Sequence, residues 1–145
     1  MRIVIQRVKQ ASVSVEGQIV GSIAKGLLVF LGISKTDDKL KADHLVRKLI
    51  ELRIFEDADG KMNVSALDAA AQFLVVSQFT LYGNCDKGRR PSFDEAADPV
   101  KGEELYDYFV ARLKQQHVPV ETGRFRAMMD VTLVNDGPVT FIIDA

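Results

Sequence analysis

The sequence has few of the residues on which common catalytic and metal sites depend. Its 145 residues include one cysteine, Cys85, two histidines and no tryptophan. A lone cysteine excludes an intrachain disulfide and a cysteine-based zinc site, and this usage suits a reducing compartment. His44 and His117 have no partner at a metal-binding or catalytic spacing, so we interpret both as surface residues. We therefore expect no metal and no cofactor.

An excess of charge of one sign and long apolar runs are also missing. The chain carries 19 Lys and Arg against 20 Asp and Glu, which gives a formal net charge of −1. That balance excludes a polycationic nucleic-acid clamp, although a local basic patch remains compatible with it. The longest uncharged segment, residues 69–85, contains too many polar residues to cross a membrane, and the amino terminus becomes polar too early for a signal peptide. We expect a soluble, cytoplasmic protein whose residues 1–145 form a single domain.

Apolar periodicity predicts a β-rich domain with two helices. Alternating or unbroken runs of β-branched and apolar residues, bounded by turn residues, indicate strands. Strands are predicted at residues 3–15, 18–23, 26–33, 72–81, 129–134 and 139–143. Helical spacing of apolar residues and N-cap residues indicate helices over residues 37–52 and 98–116. Residues 135–138 are predicted to form the turn between the last two strands.

Three segments carry polar or basic residues that the apolar pattern does not require. Residues 77–81, Ser-Gln-Phe-Thr-Leu, end a buried strand in hydrogen-bonding side chains, and ligands often bind at such strand ends in layered sheet proteins. Residues 87–93, Lys-Gly-Arg-Arg-Pro-Ser-Phe, form a basic loop, and arginine suits phosphate recognition. Residues 135–140 contain a Gly-Pro pair in a turn. Taken singly, each segment also fits an ordinary strand end, a solvated loop or a trans-proline turn.

The first and third of these segments resemble, in order and spacing, the two signature motifs of the D-aminoacyl-tRNA deacylases. The motifs are Ser77-Gln78-Phe79-Thr80-Leu81 and Asn135-Asp136-Gly137-Pro138-Val139-Thr140, and neither departs from the family pattern. Further matches to that family lie at residues 5–8, 53–55, 60–63, 90–93, 105–109 and 122–125. The resemblance therefore extends over the whole chain.

The resemblance implies an α/β fold, specifically a β-rich three-layer β/β/α single domain with two main helices. It implies a homodimeric hydrolase that cleaves the ester between a D-amino acid and the terminal adenosine of tRNA, and that also accepts mischarged glycyl-tRNA. Its partners would be the aminoacylated 3′ end of tRNA and a second copy of the chain, with no DNA and no membrane.

The resemblance also implies a substrate pocket and the residues that line it. These residues are Ser77, Gln78, Phe79, Thr80, Phe125 and Met129. The backbone amides of Phe79 and Thr80 would bind the reacting ester group, with the side chain of Thr80 in an open role. Phe125 and Met129 would lie near the adenosine.

A second group of residues is implied in chiral discrimination. The Gly137–Pro138 peptide would be cis and would reach into the partner subunit's pocket, where its carbonyl groups exclude L-side chains. Arg7 would brace that loop.

The basic loop is expected to contact RNA. Its residues for this contact are Lys87, Arg89 and Arg90.

The chemistry of this substrate explains the missing catalytic base. An aminoacyl ester is already activated, and the neighbouring 2′-hydroxyl of the ribose is placed to position the attacking water. Backbone amides near Phe79 and Thr80 would stabilise the developing oxyanion. Covalent attack by Thr80 is a weaker alternative, because no residue in view would take its proton.

Two further functions stay open beside this one. The same fold could serve as a non-catalytic module that binds RNA ends or small molecules, and a threonine esterase of broad specificity would cleave simple esters. D- and L-aminoacyl-tRNA distinguish the first of these from the deacylase, since a binding module would protect the ester.

Overall fold

Strands dominate the fold, with two α-helices and one short helical turn between them. A computed structural model describes all residues 1–145. The strands are β1 (Arg2–Val15), β2 (Gln18–Ile23), β3 (Gly26–Gly32), β4 (Arg53–Glu56), β5 (Met62–Ser65), β6 (Gln72–Ser77), β7 (Val120–Thr122) and β8 (Asp130–Asp144). The helices are α1 (Lys39–Glu51), α2 (Pro99–Lys114) and a 3₁₀-helix (Phe79–Tyr82). No helix combines the length and the apolar composition that a membrane span requires.

Six strands form one sheet in the order β2-β1-β3-β6-β7, with β8 paired along the other side of β1. β1 runs antiparallel to β2, β3 and β8, whereas β3, β6 and β7 are parallel to one another. β4 and β5 form a separate antiparallel hairpin. Because β8 pairs with β1 alone, its outer side is an unpaired edge in the single chain.

Apolar residues cover both faces of the sheet. On one face, Ile5 and Val29 belong to the same core cluster as Leu45 of α1 and Phe109 of α2. On the other face, a smaller cluster contains Leu74 of β6 together with buried residues of β1, β2 and β3. Removing apolar surface from water on both faces is the main favourable contribution to such a fold. The predicted β-rich domain with two helices is therefore confirmed.

Both helices begin at an aspartate cap, which is the predicted Asp98 for α2, whereas α1 is capped by Asp38 and not by Thr36 or Asp37, where the sequence predicts its cap. Asp38 caps α1 by accepting a hydrogen bond from Lys41 N (3.0 Å). Asp98 caps α2 by accepting from Val100 N (3.0 Å) and Lys101 N (3.1 Å). These caps satisfy amides that have no acceptor within the first helical turn.

The second buried strand is shorter than the sequence predicts. β6 ends at Ser77, where its pairing with β3 also ends, and residues 79–82 form the 3₁₀-helix. Gly32 permits this turn, because a Cβ at that position would lie only 2.9 Å from the Cβ of Leu81. The prediction of a strand over residues 72–81 is therefore wrong beyond Ser77.

The predicted turn at residues 135–138 is a bulge inside a single strand. β8 pairs with β1 on both sides of this segment, so residues 136–139 lie opposite Arg7 alone. The pairs that flank the bulge are Asn135 with Val8 and Thr140 with Gln6. The prediction of two separate tail strands is wrong, because residues that favour turns also suit a bulge.

A buried carboxylate fixes the start of β1 to the segment before α1. Asp37 is buried and accepts hydrogen bonds from the Met1 ammonium and from Ser34 N (2.7 Å). Burial raises the pKa of Asp37, but these hydrogen bonds lower it by more, so the pKa lies below its ordinary value. The ionised form of Asp37 therefore stabilises the folded state.

Asp37→Asn is expected to lower the free energy of unfolding at neutral pH by about 3–5 kcal/mol, because the buried ammonium loses its charged partner. A carboxylate whose pKa is depressed by folding stabilises above its unfolded pKa of about 3.9, and this contribution is lost as pH falls through the folded value. Urea denaturation from neutral to strongly acidic pH should show the two proteins converging in acid. A difference that stays constant across this range would contradict the assignment.

Candidate active site

The carboxyl end of β6 opens into a cavity of about 610 Å³. The strand end and the 3₁₀-helix form one wall, the start of α2 a second, and residues 125–129 a third. The predicted pocket residues that line it are Ser77, Gln78, Phe79, Thr80, Phe125 and Met129. The structure therefore places in one cavity all the residues that the resemblance implied for substrate binding and catalysis.

The 3₁₀-helix places its first backbone amides at the cavity wall. Gln78 leaves the strand geometry, with φ −143° and ψ 79°, while its own amide donates to Leu31 O (2.9 Å). The helix starts at the next residue, and the first N–H groups of a helix have no acceptor within it. The N–H groups of Phe79 and Thr80 therefore have no backbone partner at the cavity.

The side chains in the cavity do not combine a nucleophile with a base. Nε2 of Gln78 donates a hydrogen bond to the hydroxyl oxygen of Thr80, which therefore acts as an acceptor. Asp98 is the one carboxylate that lines the cavity, and it is already engaged with Val100 N and Lys101 N. No histidine lines the cavity. Thr80 consequently lacks a partner that would take its proton.

An aromatic pair anchors the basic loop beside the cavity. Phe93 packs on Phe79 with ring centroids 5.0 Å apart and an interplanar angle of 59°. Asn84 and Ser92 exchange backbone hydrogen bonds of 2.7 and 2.9 Å, which close residues 84–92 into a loop. Its exposed cationic residues are Lys87, Arg89 and Arg90. The predicted RNA-contact residues therefore lie on one loop whose base touches the cavity wall.

Two glycines leave room for the residues of another wall. Phe125 lies against Tyr106, with ring centroids 5.8 Å apart, and a Cβ at Gly102 would be 3.4 Å from the Phe125 ring. The space beside Met129 is tighter, because a Cβ at Gly123 would be only 2.7 Å from its sulfur. A side chain at that position would therefore force Met129 to shift.

The Gly137–Pro138 peptide lies outside this cavity, on the bulge of β8. It is cis, as the resemblance implies, and both residues are exposed. Asn135 closes the bulge, because its Oδ1 accepts a hydrogen bond from Val139 N (2.7 Å). Gly137 has φ +142°, and a Cβ there would lie 2.5 Å from the Val139 side chain, so glycine is required. The pocket and the Gly-Pro loop are thus separate within one chain.

Arg7 holds the bulge from the interior of the protein. Its side chain is 4% exposed, and its Nε donates to the backbone oxygen of Asp136 (3.0 Å). The two terminal nitrogens donate to Ile54 O (2.7 Å) and to a carboxylate oxygen of Glu56 (3.2 Å). The contact that the sequence implied between Arg7 and the Gly-Pro loop is therefore present.

Comparison with known proteins shows the family of this chain. The family model described as D-Tyr-tRNA(Tyr) deacylase matches residues 4–144. A D-aminoacyl-tRNA deacylase of Geotalea uraniireducens is 56% identical over 144 residues, which cover 99% of this chain and 93% of that protein. The chain belongs to the D-Tyr-tRNA(Tyr) deacylase family.

Further similarities extend this family assignment over the full chain. A D-aminoacyl-tRNA deacylase of Thermosipho melanesiensis is 53% identical, with 100% of this chain and 97% of that protein covered. The solved structure of a c-Myc DNA Unwinding Element Binding Protein is similar with a TM-score of 0.94 at 39% identity, covering 100% of this chain and 99% of that one. As a member of the deacylase family the protein is a hydrolase, which confirms the expected enzyme class and fold.

Several cavity residues of this deacylase were missed by the sequence reasoning. Ala127 and Met128 line the cavity between the two predicted wall residues, and Met128 is 92% exposed. They lie in a loop without apolar periodicity, so their position gave no signal. Gly123 did give one, since a glycine stands in the Thr-Gly-Arg-Phe match at residues 122–125, but no role was assigned to it.

Gly123→Ala should slow the hydrolysis of D-aminoacyl-tRNA by roughly 10- to 100-fold, because its methyl group displaces Met129 in the cavity wall. The matched variant Gly102→Ala should stay within about twofold of wild type, since its methyl group makes an ordinary contact with Phe125 and alanine favours the helix. Steady-state kinetics and thermal unfolding of both variants check this expectation. Equal losses of activity in the two variants would show that Met129 has no special part.

Proposed function

We propose that this deacylase removes D-amino acids from mischarged tRNA by hydrolysing the ester between the amino acid and the terminal adenosine. The same reaction would clear mischarged glycyl-tRNA, whereas L-aminoacyl-tRNA would be rejected. The observation that supports this proposal most is the cavity at the end of β6, which combines free backbone amides with hydrogen-bonding side chains, has no histidine and has one carboxylate, the helix-capping Asp98. An activated ester is a substrate that suits such a site. Because tRNA is charged in the cytoplasm, the proposed activity belongs to that compartment.

The proposed chemistry uses the protein main chain and the RNA. The carbonyl oxygen of the aminoacyl group would accept hydrogen bonds from the N–H groups of Phe79 and Thr80, which stabilise its negative charge as water attacks. The neighbouring ribose 2′-hydroxyl would position this water, so no protein base is required. The bond between the carbonyl carbon and the ribose oxygen then breaks. The products are the free amino acid and a tRNA whose terminal hydroxyl is restored.

The two walls of the cavity suit the two ends of the substrate. Phe125 and Met129 offer an aromatic ring and a thioether, which favour contact with the face of a base such as adenine. Ser77 and Gln78 lie on the wall that carries the amides and would bind the aminoacyl group. With the adenine on one wall and the aminoacyl group on the other, the ester that joins them would lie near Phe79.

The Gly-Pro loop is proposed to act across a homodimer. Gly137 and Pro138 are exposed outside the cavity of their own chain, on a strand with an unpaired edge. The same strand exposes the apolar residues Val134, Phe141 and Ile142. An exposed edge strand with apolar side chains favours pairing with a second chain. Each loop would then enter the cavity of the other subunit.

A gate made of main-chain atoms accounts for the proposed specificity in steric terms. Such a gate meets only the groups attached to Cα, which all amino acids share. It is therefore strict about chirality and permissive about side-chain identity, because it works by excluding the wrong enantiomer. Glycine would pass because it has no side chain to collide with the gate.

The basic loop is proposed to bind RNA phosphates. Lys87, Arg89 and Arg90 are exposed on the loop that Phe93 anchors to Phe79 at the cavity wall. An acceptor end whose adenosine occupies the cavity would pass beside this loop, where cations would neutralise its phosphates. Phosphate contacts position a nucleic acid without reading its sequence. DNA lacks the 2′-hydroxyl that the proposed chemistry uses, so we do not expect it as a partner.

Single-turnover hydrolysis of D-aminoacyl-tRNA by wild type and Thr80→Ala, with a normal and a 2′-deoxy terminal adenosine, tests function and mechanism together. Thr80→Ala should keep most of its rate, because the backbone amide of residue 80 survives the change. The 2′-deoxy substrate should react about 10²–10³-fold more slowly with both proteins, which is the usual cost of losing such a group. L-aminoacyl-tRNA should remain intact with both.

Three other outcomes would each point to a different function or mechanism. A folded but inactive Thr80→Ala, together with a wild type indifferent to the 2′-deoxy change, would identify Thr80 as a covalent nucleophile. Protection of the D-ester without turnover would identify a binding module. Rapid cleavage of simple esters that lack a ribose would identify an esterase of broad specificity.

A further inference from the structure

We propose that Glu56 is a positioning residue that sets the placement of the Gly-Pro gate through Arg7. The inference rests on the proposed function, in which that gate excludes L-aminoacyl groups. Glu56 ends β4 in the separate β4–β5 hairpin, outside both the cavity and the bulge of β8. No feature of its local sequence marks it as part of the site.

The guanidinium of Arg7 is held from two sides. Nη1 donates to Ile54 O (2.7 Å) and Nη2 donates to Glu56 Oε1 (3.2 Å), so both anchors on this side belong to β4. On the other side Nε donates to Asp136 O (3.0 Å). Because a guanidinium is planar and its N–H directions are fixed relative to one another, the two anchors on β4 determine where Nε points. The backbone of Asp136, directly before Gly137, is thereby placed.

The hairpin that carries Glu56 is fixed by packing against the core and by hydrogen bonds in its turn. The two residues before it, Ile54 and Phe55, are buried in the core below the helices. Asp57, directly after it, accepts three hydrogen bonds that organise the turn between β4 and β5. The donors are Asp59 N (2.9 Å), Lys61 N (2.9 Å) and Asn63 Nδ2 (2.7 Å). Glu56 therefore holds Arg7 from a fixed position.

Two carboxylates compete for this one buried cation. Asp136 Oδ2 lies 3.5 Å from Arg7 Nε, and Asp136 belongs to the bulge itself. Without the charge of Glu56, attraction between Arg7 and Asp136 would be unopposed and would draw the guanidinium and the bulge closer together. The Glu56 side chain is 54% exposed, so solvent screens its effect on overall stability. Loss of its charge should change the gate more than the fold.

Glu56→Gln tests this role in the full-length protein by three measurements. Values of kcat/KM for D- and L-aminoacyl-tRNA give the discrimination ratio, and thermal unfolding gives Tm. Amide hydrogen exchange over residues 135–140 follows the bulge without any substrate. Glu121→Gln is the matched control. Glu121 is an exposed carboxylate on a different strand, β7, and it forms no ion pair.

Glu56→Gln should lower the D-to-L discrimination ratio by about tenfold, because the amide oxygen still accepts from Arg7 but the bond loses the extra strength of a charged acceptor. The change should come from faster hydrolysis of the L-ester, with little change in the D-ester rate or in Tm. Exchange of Val139 N–H, which bonds to Asn135, should accelerate. Glu121→Gln should match wild type in all three measurements.

An unchanged discrimination ratio in Glu56→Gln would overturn the proposal, whatever the exchange data show. A lower ratio without faster exchange in residues 135–140 would also overturn it, because the effect would then arise elsewhere. Loss of both rates with a large fall in Tm would show that Glu56 is purely structural. A wild type that cleaves both esters equally, or neither, would refute the proposed function itself and would be seen before any substitution is made.

Discussion

One buried guanidinium joins three segments that are far apart in the chain. Arg7 follows Ile3 and Ile5 on the inward face of β1, where those two residues belong to the apolar core. A buried cation on this face lowers the stability of the fold unless its N–H groups have hydrogen-bond acceptors. Its partners on β4 and β8 satisfy them, and in doing so they tie the bulge of β8 to the core. Arg7 therefore joins the Gly-Pro loop to the core, while the hydrogen bond from Val139 N to Asn135 closes the bulge itself.

The cavity is held by packing rather than by charge. The 3₁₀-helix turns over Gly32, Phe79 packs on Phe93, and Gly123 leaves space for Met129. In the proposed reaction, main-chain amides stabilise the oxyanion and main-chain carbonyl groups exclude the L-enantiomer. This division explains why the sequence shows no set of catalytic side chains. The backbone that performs these tasks is placed by glycines and by contacts between distant segments.

Features encoded by local sequence were predictable from the residues alone, whereas features fixed by distant contacts were either missed or came only from the family resemblance. Asp98 and a following proline mark a helix start in any context. Polar residues at the end of an apolar strand also fit an ordinary strand end, and only the resemblance identified them as the cavity wall. The 3₁₀-helix, in contrast, depends on Gly32 of another strand, and the bulge depends on Arg7, 129 residues before Asp136. The short strands β4, β5 and β7 contain too few apolar residues to show a period. The contact between Glu56 and Arg7 therefore has no counterpart in the local sequence pattern.

If each cavity is completed by the gate of a second subunit, chiral discrimination must depend on dimerisation. Sedimentation equilibrium and hydrolysis of D- and L-aminoacyl-tRNA, measured over the same range of protein concentration, test this dependence directly. The expected species has twice the 16.1 kDa mass of the chain, and discrimination should fall in parallel as dilution dissociates it. A stable 16.1 kDa monomer that cleaves the D-ester at full rate and still spares the L-ester would contradict the shared site.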